Sequence, residues 1–211
     1  FTNVGIEGPG AVGRGIAQIA AQAGSKVFLL DTQPGAAEAA RHHIHQQWVR
    51  LSDKGRIDIG QVQEWHESLV PVASIQDLAH CDLVVEAIIE RLEAKQSLFR
   101  ELEATVSPNA VLASNTSSLS ITAIGATLQK SERLAGFHFF NPVPLMKVVE
   151  VVAGLKTDPQ ICARLADFAR VMGHTPVMAQ DTPGFIVNQA GRGFGTEALR
   201  IVSEGVADFA T

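Results

Sequence analysis

The sequence is short of charge, of cysteine and of long apolar runs, and each shortage closes off a class of function. Only 18% of the 211 residues are charged, and 17 Lys and Arg stand against 22 Asp and Glu for a net charge of −5. No basic run forms a stripe, which argues against a nucleic-acid-binding protein and against a membrane-surface one. The two cysteines, Cys81 and Cys162, fit no metal-ligand or redox spacing and read as free thiols. No apolar stretch approaches the roughly 20 residues of a membrane span. The N-terminus has no signal-like pattern, so a cytoplasmic location is expected. Internal repeats and low-complexity linkers are missing too. The chain begins without Met and stops at Thr211 without a closing turn signal, so it reads as part of a longer protein.

What is present is enough apolar material, 46% of residues, for a sizeable core. Short, almost wholly apolar runs ("KVFLLD", "DLVVEAI", "AVLASN", "RLAGFHFF", "KVVEVV") alternate with amphipathic helical patterns. Such strands belong to a sheet covered on both faces. The fold class expected is therefore α/β, a doubly wound, mostly parallel Rossmann-type sheet over 1–183, with a helical excursion at about 34–69. After "DTPGF" the strand pattern stops, and 184–211 reads as the opening of a second, helical region.

"GIEGPGAVGRG" sets Gly8, Gly10 and Gly13 in G-x-G-x-x-G spacing between a strand and a helix. The first glycine permits the tight turn, the second lets backbone approach a pyrophosphate, and the third lets helix and strand pack closely. The phosphate would meet the free N–H groups of the helix N-terminus. Asp31 ends the next strand, where an acid accepts from ribose hydroxyls, and no Arg follows it to welcome a 2′-phosphate. NAD is therefore expected over NADP. Glu7, just ahead of the loop, does not suit this picture. A carboxylate facing the pyrophosphate would weaken binding, unless it points away or carries a proton.

Three further features put polar groups in apolar places. "ASNTSSLSI" clusters Ser114, Asn115, Thr116, Ser117 and Ser118 at the end of a strand, where a doubly wound sheet opens its crevice. Ser118 or Ser120 can serve as a helix N-cap, which leaves the other hydroxyls unexplained. With no G-x-S-x-G elbow, hydrogen bonding to a substrate oxygen fits better than a nucleophile. In "GFHFFNPVPLMKVVEVV", His138 and Glu150 interrupt two strands joined by a turn and can face each other across it. A carboxylate on one imidazole nitrogen fixes the tautomer and frees the other nitrogen as a base. A buried structural ion pair is the plain alternative. Asn188 begins the last helical stretch and is unremarkable alone.

Five segments, "GPGAVGRGIAQIAAQAG", "DLVVEAIIERLEAKQSLF", "ASNTSSLSIT", "GFHFFNPVPLMKVVEVV" and "DTPGFIVN", run in one order over nearly the whole chain. Together they resemble the 3-hydroxyacyl-CoA dehydrogenase family, in wording nearest its bacterial 3-hydroxybutyryl-CoA and 3-hydroxyadipyl-CoA members. The resemblance implies NAD-dependent oxidation of an (S)-3-hydroxyacyl-CoA thioester to the 3-oxoacyl-CoA. It implies His138 as base and Glu150 as its orienter, with Ser117 and Asn188 hydrogen-bonding the reacting oxygen or the thioester end. On the cofactor side it implies Val12 beside the glycines, then Glu90, Lys95 and Asn115 near the nicotinamide. Lys54 is implied, more loosely, for the coenzyme A tail. Family members continue into an all-helical domain that closes the cleft and makes a homodimer. The competing readings are a dehydrogenase of free hydroxy acids or sugar acids and a non-catalytic NAD-binding remnant. Among minor features, His42 and His45 lie one helical turn apart but lack companions, so no metal is expected. Trp48 and Trp65 read as packing between helices.

Overall fold

The computed structural model describes residues 1–210. Eight strands form one sheet in the order β3-β2-β1-β4-β5-β6-β7-β8. They are β1 (Asn3–Glu7), β2 (Lys26–Leu30), β3 (Leu69–Pro71), β4 (Leu83–Glu86), β5 (Val111–Ser114), β6 (Leu134–Phe139), β7 (Val148–Ala153) and β8 (Thr175–Gln180). The first six run parallel; β7 pairs antiparallel with β6, and β8 runs parallel to β7. The doubly wound α/β expectation is met. The one antiparallel pair follows from the short "NPVP" connection, since a turn can return the chain only antiparallel.

The helices are α1 (Ala11–Gln22), α2 (Ala36–Asp53), α3 (Ile59–Ser68), α4 (Leu92–Thr105), α5 (Ile121–Gly125), α6 (Pro159–Val171) and α7 (Val187–Ser203). The excursion expected at 34–69 is the α2–α3 pair. Asp58 starts α3 with a capping box: its side chain accepts from the Gly60 amide while Gln61 reaches back to the Asp58 amide. Trp48 and Trp65 pack between these helices with ring centroids 5.5 Å apart. Helix α5 closes after Gly125, where a tight turn carries the chain toward β6.

Strand alternation divides the core between the two faces. Val4, Ile6, Val27, Leu29, Val85, Phe137 and Val151 face the side covered by α1, α2 and α6. Phe28, Leu30, Val84, Leu112 and Val152 face the side where Phe99 and Leu102 of α4 and Ile121 of α5 pack. This second face also carries polar groups toward the carboxyl ends of the strands. Glu7 registers with Glu86, Glu86 with Ser114, and one pairing further along His138 with Glu150. Among the described residues no helix is long and apolar enough to cross a membrane.

Candidate active site

His138 and Glu150 are direct cross-strand partners. The imidazole Nδ1 lies 2.6 Å from Glu150 Oε2, with His138 5% exposed and Glu150 fully buried. Phe140 and Phe185 flank the imidazole, at 4.5 and 5.7 Å between ring centroids. With Nδ1 committed to the carboxylate, Nε2 is the nitrogen left for a ligand. The other Glu150 oxygen, Oε1, accepts from the amides of Ile186 and Val187 at 2.8 and 2.9 Å. Those amides open α7, so one carboxylate orients the histidine and anchors a helix N-terminus that has no side-chain cap of its own.

That anchor brings Asn188 into place. Its side-chain amide donates to the Ser117 carbonyl at 3.2 Å, joining α7 to the serine cluster after β5. Asn115 accepts from the Phe139 amide at 2.9 Å and so ties the carboxyl ends of β5 and β6 together. Glu90 caps the same cluster. Its Oε1 accepts from the Thr116 hydroxyl, the Ser118 hydroxyl and the amides of Ser117 and Ser118. Burial would raise the Glu90 pKa, but the Thr116 hydroxyl, the Lys95 charge and the Ser117 amide outweigh it and hold it below the usual carboxylate range.

Lys95 is 1% exposed and sits beneath this layer. Its Nζ lies 2.5 Å from Glu86 and 3.3 Å from Glu90. Glu86 also accepts from the Ile88 amide and the Ser114 hydroxyl, both at 2.7 Å. The expected helix-capping serine is Ser120, which accepts from the Ala123 amide.

The glycine loop fits a dinucleotide. A Cβ on Gly13 would fall 2.2 Å from the Gly8 carbonyl oxygen, so only glycine allows this contact between helix and loop. Gly8 has φ +83°, and a Cβ there would meet Ala87 backbone at 2.8 Å. Nothing lies within 4 Å of the Gly10 Cβ direction, and no side chain caps α1, so its first amides are open to an anion. A cavity of about 230 Å³ beside the loop is lined by Glu7, Gly8, Gly10, Asp31, Thr32 and Ile88, among others. Asp31, which lines this cavity, accepts from the Gln33 amide through Oδ1 at 2.8 Å. Val12, half-buried, sits in the first turn of α1.

The family model for the NAD binding domain of 3-hydroxyacyl-CoA dehydrogenase matches residues 3–182. The chain belongs to this family. A 3-hydroxyadipyl-CoA dehydrogenase of Escherichia coli strain K12 is 42% identical over 204 residues, covering 97% of this chain and 43% of the relative. A probable 3-hydroxybutyryl-CoA dehydrogenase of Bacillus subtilis strain 168 is 40% identical over 202 residues, covering 96% of this chain and 70% of the relative. Among solved structures, a 3-hydroxybutyryl-CoA dehydrogenase from E. coli K12 superposes with a TM-score of 0.94 at 42% identity, over 98% of this chain and 44% of that one. The chain thus spans less than half of the E. coli proteins and about 70% of the Bacillus one.

For a member of the 3-hydroxyacyl-CoA dehydrogenase family, the residues singled out in the sequence group unevenly. Hydrogen bonds and ion pairs join His138 to Glu150, Glu150 to the amides that open α7, Asn188 to Ser117, Ser117 to Glu90, Glu90 to Lys95, and Asn115 to Phe139. Gly8, Gly10 and Asp31 line the cavity beside the glycine loop, while Val12 and Gly13 lie in the first turn of α1 and do not line it. Lys54 stands apart, exposed at the C-cap of α2. Sequence reasoning missed Glu86 as a support of the site, and it placed Thr116 in the polar cluster without seeing its bond to Glu90. A glutamate ending the apolar run "DLVVE" was the available signal for Glu86. It also missed the second role of Glu150, which no local pattern reveals.

Proposed function

We propose that this chain binds NAD and carries the catalytic base of an (S)-3-hydroxyacyl-CoA dehydrogenase, which converts the 3-hydroxyacyl thioester to the 3-oxoacyl form. The observation that carries the reading is the buried His138–Glu150 pair, which holds Nδ1 at 2.6 Å and leaves Nε2 as the nitrogen for a substrate. A secondary alcohol gives up its carbon-bound hydrogen only as its hydroxyl proton leaves, so a base must lie within hydrogen-bond reach. Nε2 takes that proton, and Glu150 stabilises the imidazolium that results. The Ser117 hydroxyl and the Asn188 amide are the fixed polar groups that hold the substrate oxygens. Bound NAD supplies the two-electron acceptor. Glu90, Lys95 and Asn115 keep the floor of the cleft rigid, and Lys54 meets the coenzyme A phosphates. The 184–211 segment begins the helical region that completes the cleft and the homodimer, and the enzyme acts in the cytoplasm.

Matched substrates test the class. NADH formation should appear with (S)-3-hydroxybutyryl-CoA or 3-hydroxyadipyl-CoA and be absent with the corresponding free acids. Turnover of the free acids alone would transfer the protein to a dehydrogenase of hydroxy acids. NAD binding without turnover of either class in the full-length protein would leave a non-catalytic binding domain.

A further inference from the structure

Glu7 ends β1 in register with Glu86 of β4, and the two carboxyl side chains share a face of the sheet. Their surroundings differ. Glu86 has Lys95, the Ser114 hydroxyl and the Ile88 amide as partners. Glu7 is 3% exposed, and its Oε2 is buried without any hydrogen-bond partner. It also lines the cleft with Gly8, Gly10 and Asp31.

The charged groups around it are mostly of one sign. Asp31 faces it from the end of β2, Glu86 from β4 and Glu101 from α4. The α4 cation, Lys95, is engaged by Glu86 and Glu90. Arg14 of α1 lines a different cavity, against α2, and Arg91 in the connection before α4 is exposed. A buried carboxylate with no counter-ion and no donor is a costly species; the neutral acid is not.

We propose that Glu7 belongs to the dinucleotide site as a neutral carboxylic acid, and that its ionisation disfavours the bound dinucleotide. The proposal rests on NAD binding in this cleft and adds a residue and a proton to it. As an acid, Glu7 contributes an O–H donor and no charge beside the pyrophosphate. As a carboxylate, it adds a negative charge to a cleft that already holds Asp31 and must accept a dianionic pyrophosphate. Burial, then Asp31, Glu86 and Glu101, push its pKa up to about 8, which places the change in an accessible range.

Calorimetric titration with NADH between pH 6.5 and 9.5 tests this directly. The wild-type Kd should be flat below about pH 7.5 and weaken by roughly tenfold per pH unit well above 8, with about one proton taken up per NADH bound there. Glu7→Gln, neutral at every pH, should show neither the slope nor the uptake, and should bind more than about fivefold tighter than wild type at pH 9. Glu7→Met serves as a second neutral variant should the amide disturb folding. The same pH profile in wild type and both variants would overturn the proposal, as would wild-type binding at pH 9 without proton uptake. Absence of NADH binding by wild type at every pH is a separate outcome: it would overturn the NAD reading itself, and this proposal with it.

Discussion

At the scale of single residues, two glutamates make sharp demands. Glu150 has two jobs, one on each oxygen, and substitutions separate them. In Glu150→Gln the amide can still accept from the Ile186 and Val187 amides through its oxygen, but its NH₂ cannot accept from His138 Nδ1. The expected outcome is a fall in kcat of about 10² or more with little change in NAD affinity, read by steady-state kinetics and titration. Glu150→Ala removes both jobs and should also lower the melting temperature by several degrees relative to Glu150→Gln. Glu7 makes a demand on stability. Its pKa rises from 4.5 to about 8 on folding, so between those values the folded chain keeps a proton that the unfolded chain releases. Its contribution to stability is therefore greatest below pH 4.5 and declines with rising pH until about 8, by on the order of a few kcal/mol. Glu7→Gln should gain melting temperature over wild type as pH rises, with a gap at pH 8.5 at least about 5 °C wider than at pH 5. Parallel melting curves across that window would mean that Glu7 is not held neutral.

At the scale of elements, β4, α4 and the 116–118 loop are joined by the Glu86–Lys95–Glu90 chain of charges. Removing one partner from a buried pair leaves a charge uncompensated and costs about 3–5 kcal/mol. Lys95→Met should therefore cost several kcal/mol in denaturant unfolding. Adding Glu86→Gln to it should restore part of the loss, a coupling of at least about 1 kcal/mol in a double-mutant cycle. Additive costs would place the two side chains outside one network. Elements are also where the sequence was readable in some places and opaque in others. The strands announced themselves because a parallel sheet buried on both faces leaves continuous apolar runs such as "KVFLL". His138 and Glu150 stood out against such runs. Lys95 did not, since nothing in "LEAKQ" distinguishes a buried lysine from a solvated one. Its setting depends on Glu86 at the end of β4 and on Glu90 in the connection that follows. The anchoring of α7 by Glu150 was hidden for a similar reason: the deciding contact joins segments 36 residues apart.

At the scale of the molecule, the polar groups gather where the carboxyl ends of the parallel strands open a crevice, which is where this kind of sheet binds its ligands. The cavity beside the glycine loop lies between β1, β2 and β4, at the point where strand order reverses. The histidine lies on β6, two strands beyond β4, and its carboxylate on the antiparallel β7. The glycine spacing and Asp31 made the first half legible, because each glycine answers to a steric need that the structure shows at Gly8 and Gly13. The second half needed the order of several segments, since a histidine and a glutamate alone also describe a structural ion pair. Catalysis by His138 is what separates those two descriptions. The decisive measurement is NADH formation from (S)-3-hydroxybutyryl-CoA by the full-length protein and its His138→Gln variant, with NADH affinity determined in parallel. A loss of about 10³-fold or more in kcat at nearly unchanged NADH affinity is the expected result. Wild-type turnover in the variant would contradict the assignment of His138 as base and return the pair to a structural role.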